Sequence, residues 1–381
     1  MNRFETMSER LRAAWKPHKQ PTAPRAYRCQ CGRPVFFGNS RCLACGTALG
    51  YEPELARVLP LQPATHEGEW QLHGADAQAP RYRRCGNFDS PAGCNWLVPV
   101  DAQGHAPGLC RGCRLNRTIP DLSVPENGVL WGRIEAAKRR LVSQLIALDL
   151  PVQSKVDEDP QHGLAFDFLR ALPGAPVTTG HADGVITLDV EEADDARREQ
   201  LRTELREPYR TLLGHLRHEV GHYYWDRLIR HSPGLEDFRR LFGDERQDYA
   251  AALKANYEHG PPADWAQRFV TAYASCHPWE DWAETWAHYL HMVDTVDTAL
   301  SFGIDADDVE LNAEPWGPDA LWRPEAPGAE AFLGFLNAWT ELTAVLNEMS
   351  RSMGQPDFYP FVLPRPAVAK LQFIHLTVAG P

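Results

Sequence analysis

The chain has 381 residues, of which 43% are hydrophobic and 24% charged, and its formal net charge is −12. This length predicts two or three folded units, and the composition excludes a wholly disordered or collagen-like chain. No run of eighteen apolar residues occurs, and the first thirty residues lack the apolar core of a secretory signal. We therefore expect a cytoplasmic protein without a membrane partner.

Residues 1–25 form a basic lead that we predict to be disordered. Nine lysines and arginines stand against only Glu5 and Glu9 in residues 1–50, so the rest of the chain is strongly acidic. A basic segment of this kind can contact an acidic partner or nucleic acid, but a solvated tail is its more ordinary interpretation. We do not expect nucleic acid as a partner.

Residues 26–51 contain two cysteine pairs on either side of an apolar segment, PVFF. The four are Cys29, Cys31, Cys42 and Cys45. In a reducing compartment, grouped cysteines favour metal binding over disulfide bonds. Because so short a segment needs a metal to fold, we predict a zinc ribbon with one structural zinc held by four thiolates. The first pair is Cys-x-Cys instead of the more common Cys-x-x-Cys.

A second quartet lies in residues 81–124, after a polar linker that we predict for residues 52–80. Its members are Cys85, Cys94, Cys110 and Cys113. The last two have the Cys-x-x-Cys spacing of a metal site, whereas the first two are widely spaced. We predict a second four-cysteine zinc module. The alternative, four buried or free thiols, would leave the protein open to oxidation.

The body of the protein is predicted to span residues 125–381. An amphipathic helix is expected over residues 131–150, and then a hairpin whose turn is Asp183 and Gly184 and whose second strand is 185–190. Helix formers follow, and Pro208 suits the first turn of a next helix. Further on, the sequence predicts a long helix over residues 324–354 and a final strand over residues 364–380.

One motif in the body carries chemistry: His218 and His222 enclose Glu219 in the pattern H-E-x-x-H. Residues four apart share one face of a helix, so both imidazoles can bind one ion. Glu219 can then take a proton from a metal-activated water and pass one to the leaving amine. An apolar stripe on the same helix predicts that it is buried, and Gly221 suggests close backbone approach there. His215 is a weaker candidate ligand.

A zinc ion held by two histidines needs a third protein ligand. The segment CHPWEDWAETWAHYLH places acids and imidazoles on one helical stripe and tryptophans on another; the first stripe holds His277, Glu280, Glu284, His288 and His291. We predict Glu280 as the third ligand. Glu284 would be a supporting carboxylate that orients a ligand histidine. Glu284, Asp281 and His277 remain alternatives for the third ligand.

Two further features are less specific. Hydrolysis requires a donor that stabilises the oxyanion, and the sequence does not distinguish among its candidates: Tyr223, Tyr224, Tyr249, Tyr257 and His288. Cys276 stands apart from both quartets. We interpret it as a buried or free thiol, with a reactive nucleophile as the alternative.

Six segments together resemble a known family: CGRPVFFGNSRCLACGTALGY, CNWLVP, CRLNRTIPDLS, GHADGVITLDVEEADDARRE, EPYRTLLGHLRHEVGHYYWDRL and HPWEDWAETWAHYLHMVDT. The chain resembles the bacterial zinc-binding metallopeptidases with an N-terminal zinc ribbon, within the zincin group. The resemblance implies that His218, His222 and a downstream glutamate bind zinc and that Glu219 is catalytic. By analogy with zincins, the strand at 185–190 is expected to offer an open edge to an extended substrate.

We therefore predict an α+β protein, in which a mainly helical, zincin-like metallopeptidase domain follows two small four-cysteine zinc-binding modules. It would hydrolyse a peptide bond in a peptide or protein substrate and bind three zinc ions, one catalytic and two structural. Two alternatives remain open. The chain could be a zinc-ribbon module that binds protein or nucleic acid through a non-catalytic body, or a zinc hydrolase that acts on a non-peptide amide.

Overall fold

The structure is a computed structural model that describes residues 25–172, 174–204, 209–304, 309, 311 and 314–379. The predicted disordered lead at residues 1–25 lies outside the described residues, apart from Arg25. The chain divides into two compact units, the first ending at residue 205 and the second beginning at residue 206. The predicted body therefore contributes residues to both units.

The first unit begins with a small hairpin, in which β1 (Tyr27–Arg28) pairs antiparallel with β2 (Pro34–Val35). Gly32 and Gly46 each follow a cysteine in a tight turn and have positive φ angles, which glycine adopts without steric cost. Within the apolar segment PVFF, only Pro34–Val35 forms a strand. It ends there because Phe36 begins a turn, closed by its backbone N–H donating to Asn39 Oδ1 at 2.7 Å.

A five-stranded antiparallel sheet follows the ribbon in the order β3-β4-β5-β6-β7. Its strands are β3 (Leu49–Glu52), β4 (Arg57–Pro63), β5 (Glu69–Leu72), β6 (Tyr82–Arg84) and β7 (Leu97–Pro99). The prediction of a polar linker at 52–80 is wrong, since β4 and β5 lie within it. In β5, buried and half-buried residues alternate, whereas β4 buries Val58 and Leu61. Leu61 packs with Tyr82 and Leu97 in a small core.

The rest of the first unit combines helices with a four-stranded sheet in the order β10-β11-β9-β8. The elements are β8 (Asn116–Thr118), α1 (Pro125–Ala147), β9 (Ala165–Leu169), β10 (Gly180–Ala182), β11 (Val185–Asp189) and α2 (Asp195–Glu204). The predicted amphipathic helix and hairpin are both confirmed. The predicted open edge of β11 is wrong, because β9 pairs with it in parallel on the side away from β10.

The described residues of the second unit form α-helices and a few single-turn 3₁₀ helices. No strand occurs among them. The helices are α3 (Leu212–Leu228), α4 (Leu235–Phe242), α5 (Tyr249–His259), α6 (Pro278–Ser301), α7 (Ala329–Ser352) and α8 (Arg365–Ala379). The described chain thus mixes helix and sheet. Pro208 lies outside the described residues, and the helix after it begins at Leu212, where the Thr211 hydroxyl accepts a hydrogen bond from Gly214 N–H.

Helices α3 and α6 have the most extensive contact among the described helix pairs of the second unit. A Cβ atom added to Gly221 on α3 would lie 3.0 Å from Cα of Ala283 on α6, so only glycine permits this spacing. Trp282 donates from Nε1 to the Gly221 carbonyl at 2.8 Å, and Trp286 is buried one turn further along. The close approach predicted at Gly221 and the buried tryptophan stripe are therefore confirmed.

The end of the chain corrects another prediction. Residues 364–380 were expected to form a strand, but Arg365–Ala379 is helix α8. Its apolar residues recur at helical spacing, with Ala367, Leu371 and Ile374 fully buried, and this packing outweighs the β-branched residues near its end. Lys370 on the same helix donates from Nζ to Asp281 Oδ2 on α6 at 2.6 Å, and both side chains are buried.

We find no helix among the described residues with the length and apolar character needed to cross a bilayer.

Candidate metal centres and active site

The first cysteine quartet brings four sulfur atoms around one point. Cys29 Sγ lies 3.6 Å from Cys45 Sγ, and Cys31 Sγ lies 3.8 Å from Cys42 Sγ. A tetrahedral zinc with Zn–S bonds of about 2.3 Å would separate its sulfurs by about 3.8 Å. Within the group, Cys31 and Cys45 are exposed, whereas the other two are buried. The ribbon cysteines therefore have the spacing of a zinc site near the surface.

The second quartet is buried at all four positions. Cys94 Sγ lies 3.6 Å from Cys110 Sγ, and Cys110 donates from its backbone N–H to Cys85 Sγ at 3.3 Å. Cys113 Sγ lies 3.9 Å from Glu135 on α1. Cys85 and Cys94 are far apart in sequence because the loop between β6 and β7 connects them. Their sulfur atoms nevertheless lie close to those of Cys110 and Cys113.

A third group of possible ligands lies between α3 and α6. Ligand atoms of His218, His222 and Glu280 all lie within 4.8 Å of one another, and the three side chains are buried. His218 Nε2 lies 3.0 Å from Glu280 Oε2, and His222 Nε2 lies 3.5 Å from Glu280 Oε1. Helix α3 presents both histidines on one face, while Glu280 comes from the first turn of α6.

Glu284 lies one turn beyond Glu280 and contacts the other nitrogen of His218. Nδ1 of His218 donates to Glu284 Oε1 at 2.7 Å, and Thr271 donates from its hydroxyl to Glu284 Oε2 at 2.7 Å. With Nδ1 so occupied, Nε2 is the nitrogen that faces Glu280. Burial alone would lower the pKa of His218, but hydrogen bonds to both glutamates raise it well above its usual value.

Electrostatics in the group favour an ionised carboxylate. Burial raises the pKa of Glu280, yet the neighbouring imidazoles of His222 and His218 lower it well below its ordinary range. The arrangement is therefore a buried carboxylate held by positive charge. A divalent cation bound by these three side chains would supply the same charge.

The remaining alternatives for the third ligand have other partners. Asp281 forms the buried ion pair with Lys370. His277 caps α6: its Nδ1 accepts from the backbone N–H of Trp279 at 3.1 Å, and its Nε2 donates to the carbonyl of Gln247 at 3.3 Å. Both nitrogens of His277 are thus engaged in holding the start of α6.

Two other histidines of the predicted stripe also contact residues outside the three-residue group. His288 Nδ1 lies 2.5 Å from the hydroxyl of Tyr359, and the buried ring has its pKa lowered to about 4, chiefly by burial. His291 Nδ1 lies 2.6 Å from a guanidinium nitrogen of Arg217. Of the predicted stripe, Glu280 and Glu284 therefore contact the histidines of the site, whereas His288 and His291 contact residues elsewhere in the second unit.

Glu219 follows His218 on α3 and is buried. Its Oε1 lies 3.2 Å from Nε2 of His215, whereas its Oε2 is buried and has no hydrogen-bond partner among the described residues. Although burial raises its pKa, the hydrogen bond from His215 and the charges of His218 and His222 lower it below the usual value. Glu219 is thus a buried carboxylate whose lowered pKa favours ionisation, close to the two histidines of the group.

Tyr249, the first residue of α5, reaches the same group. Its hydroxyl donates to Glu280 Oε1 at 2.7 Å. Its ring lies 5.2 Å from the ring of His277 and 6.1 Å from that of Trp279. Tyr249 is 38% exposed, so it belongs both to the site and to the protein surface.

The other tyrosines divide between core and surface. Tyr223 and Tyr224 are buried in helix packing, and Tyr257 is 65% exposed. Sequence reasoning missed Tyr273, whose ring lies 6.0 Å from that of His218. It lies in a single-turn 3₁₀ helix before α6, and no spacing pattern marks that position.

Cys276 is not a member of any candidate metal-ligand group found among the described residues. Burial, followed by the charges of Glu280 and Glu284, raises the pKa of its thiol to about 12. A thiol with so high a pKa is a poor nucleophile at neutral pH. The interpretation of Cys276 as an unreactive thiol is the one that this environment favours.

Comparisons with known proteins give two family matches. A zinc-ribbon domain matches residues 26–124, and the family described as "Putative zinc-binding metallo-peptidase" matches residues 127–377. One protein of Mycobacterium bovis and one of Mycobacterium tuberculosis, both described as uncharacterized, are each 44% identical to the chain over 356 residues. This covers 93% of the chain and 95% of each relative. No solved structure matches.

Proposed function

Because the chain belongs to the zinc-binding metallo-peptidase family that matches residues 127–377, we propose that it is a zinc-dependent peptidase of the H-E-x-x-H type with a zincin-like domain. One observation carries the proposal. Two imidazoles and one carboxylate converge in a buried group, beside a second carboxylate that has one oxygen without a hydrogen-bond partner among the described residues. We assign His218, His222 and Glu280 as zinc ligands and Glu219 as the catalytic residue.

The geometry supports zinc at these three residues. Zn–N and Zn–O bonds of about 2.1 Å in a tetrahedron would separate the ligand atoms by about 3.4 Å. The distances from the histidine nitrogens to Glu280 are similar, 3.0 Å from His218 Nε2 to Oε2 and 3.5 Å from His222 Nε2 to Oε1. Glu284 and Thr271 give one ligand imidazole the second layer of hydrogen bonds that metal-binding histidines usually have.

A zinc ion bound there would supply Lewis acidity, which acidifies water and polarises a carbonyl group. Glu219 then has two tasks. Its Oε2 accepts a proton from the water that attacks the peptide carbonyl, and the same oxygen delivers a proton to the leaving amine. Although burial raises the pKa of Glu219, the hydrogen bond from His215 and the charges of His218 and His222 lower it below its usual value, which favours the ionised form that accepts a proton.

We assign Tyr249 as the donor that stabilises the oxyanion. Its hydroxyl donates a hydrogen bond to Glu280 Oε1, so the donor lies beside the proposed ligand group. A substrate carbonyl oxygen that develops negative charge there could accept this hydrogen bond in place of Glu280. The partial exposure of Tyr249 makes it accessible to a substrate from solution.

The two cysteine quartets are proposed to hold structural zinc, which gives three zinc ions per chain. Each quartet offers four thiolates and so fills a tetrahedral shell without substrate. Zinc–thiolate sites of this kind are typical of reducing compartments, which supports the proposal of a cytoplasmic peptidase acting on a peptide or protein substrate.

The test is cleavage of a mixed peptide library by zinc-loaded protein, with Glu219→Gln as the key variant and Glu330→Gln, an exposed glutamate, as its control. We expect cleavage by wild type and control, a loss of at least about a thousandfold in Glu219→Gln, and equal zinc content in all three. A fully zinc-loaded wild type that cleaves no peptide would overturn the proposal. Hydrolysis restricted to non-peptide amides, identified by mass spectrometry, would also overturn it.

A further inference from the structure

His215 lies one helical turn before Glu219 on α3, so the two side chains share a face. Its Nε2 lies 3.2 Å from Glu219 Oε1, the distance of a hydrogen bond in which the imidazole N–H donates to the carboxylate. The His215 side chain is 19% exposed, whereas that of Glu219 is only 6% exposed. One partially solvated imidazole therefore holds an oxygen of a buried carboxylate.

The two oxygens of Glu219 have different surroundings. Oε1 has His215, while Oε2 is buried without a hydrogen-bond partner among the described residues. A carboxylate anchored through one oxygen cannot turn freely about its last bond, so the direction of the second oxygen becomes fixed. For a general base this direction matters, because proton transfer requires hydrogen-bond distance and alignment.

We propose that His215 is a positioning residue, which anchors Oε1 of Glu219 so that Oε2 is the oxygen that exchanges protons with substrate and water. The inference rests on the proposed function, since it concerns the residue assigned there as the base. It also gives His215 a role other than that of a metal ligand. His215 is absent from the group of converging ligand atoms found among the described residues, and its Nε2 is used by Glu219.

A merely structural role would have a different signature. The His215 side chain is partially exposed, so we expect its replacement to open no closed cavity, and the close approach of α3 to α6 lies at Gly221, more than one turn away. The contact matters chiefly for the buried carboxylate of Glu219, because burial of a charged group is unfavourable unless the group accepts hydrogen bonds. Replacement of His215 should therefore change the behaviour of Glu219 more than it changes folding.

The experiment uses the full-length, zinc-loaded chain and acetohydroxamic acid as the probe. A hydroxamate chelates zinc and has an acidic proton that a neighbouring carboxylate can accept, so its affinity reports on both the ion and Glu219. The variants are His215→Phe, which keeps ring volume without an N–H, and His215→Gln, which retains a donor. His231→Phe, at an exposed histidine after α3, is the control. Zinc content and thermal unfolding are measured for each.

We expect His215→Phe to weaken hydroxamate binding about tenfold to a hundredfold, the effect of losing a hydrogen bond to a charged group. With a cleavable peptide, kcat should fall by a similar factor while KM stays within about twofold. His215→Gln should recover most of both losses, and His231→Phe should behave as wild type. Zinc content should be the same throughout.

The outcomes separate this inference from the proposed function. Wild-type binding and turnover in His215→Phe, with zinc retained, would overturn the positioning role and leave the peptidase proposal standing. Equal losses in His215→Phe and His215→Gln would also overturn it, because the donor would then be irrelevant. If His215→Phe fails to fold, His215→Leu replaces it under the same criteria. Failure of fully zinc-loaded wild type to bind hydroxamate would instead overturn the zinc site proposed for the second unit.

Discussion

The second cysteine quartet and the histidine–glutamate group differ in the number of ligands that the protein offers. Four buried sulfurs meet in the first unit, whereas two imidazoles and one carboxylate meet in the second. Four protein ligands complete a tetrahedral zinc shell, and three leave one position for another molecule. Ligand number thus distinguishes a site that stabilises a fold from one that can bind a substrate.

The largest expected effect tests this distinction directly. Cys110→Ser should release one zinc and unfold the surrounding residues, because metal binding at such sites contributes on the order of 10 kcal/mol. His222→Ala should also release one zinc, but the second unit should keep its helices, since α3 and α6 also contact each other through Gly221 and Trp282. Metal analysis and circular dichroism measure both. Equal unfolding in the two variants would contradict the comparison.

The next effect concerns the position that three ligands leave for a substrate. Tyr249→Phe should lower kcat by about a hundredfold to a thousandfold, since it removes one donor from the developing oxyanion. KM and zinc content should change little. Tyr257→Phe on the same helix is the matched control, because that ring is exposed. Unchanged kcat in Tyr249→Phe would remove Tyr249 from the mechanism.

The two units also differ in their buried histidines: all those found among the described residues lie in the second unit. Burial lowers the pKa of His375 to about 4, below the value of about 6.5 in an unfolded chain. The unfolded state then binds the extra proton first, so stability present above pH 6.5 is lost as the pH falls toward 4.

Replacing His375 with leucine should reduce the loss of unfolding free energy between pH 7 and pH 4 by up to about 3 kcal/mol. This is the free energy linked to the pKa shift of His375. Urea unfolding of the second unit between pH 7 and pH 4 measures the effect, with His231→Leu as the control. Because the leucine variant also loses the contact between His375 Nδ1 and the Tyr289 hydroxyl, the slope against pH is the relevant quantity. Parallel slopes would contradict the prediction.

The smallest effect separates the two glutamates of α6. Glu284→Gln should weaken zinc binding at the second unit about tenfold to a hundredfold, because it loosens the orientation of His218. Glu280→Gln should abolish binding there. Competition with a chelator gives both affinities. A greater loss in Glu284→Gln than in Glu280→Gln would exchange the roles of the two residues.

Much of the helical framework followed from periodicity. The stripes of α3 and α6 predicted two buried helices, and Gly221 predicted a close backbone approach, which α6 makes. The family resemblance is confirmed by the match to residues 127–377. Strands β4 and β5 escaped notice because short strands with one polar face look like linker sequence. The final helix was mistaken for a strand because short apolar runs carry both periodicities.

The site was less predictable than the framework. Spacing placed His218 and His222 together, but Glu280 and Glu284 share one helical stripe, and only the crossing of α3 and α6 sets which one faces His222. Tyr249 could not be selected, since it comes from a separate helix 31 residues before Glu280. His215 had a readable signal, the four-residue spacing to Glu219, which is the spacing of a side-chain pair on a helix.

The ion pair between Lys370 and Asp281 ties the tail of the protein to the residue directly after Glu280. Proteolytic trimming of α8 would strand the Asp281 charge in an apolar interior, a loss that typically amounts to about 3–5 kcal/mol. A chain that lacks the residues from Arg365 onward should therefore unfold at a lower urea concentration than the intact chain.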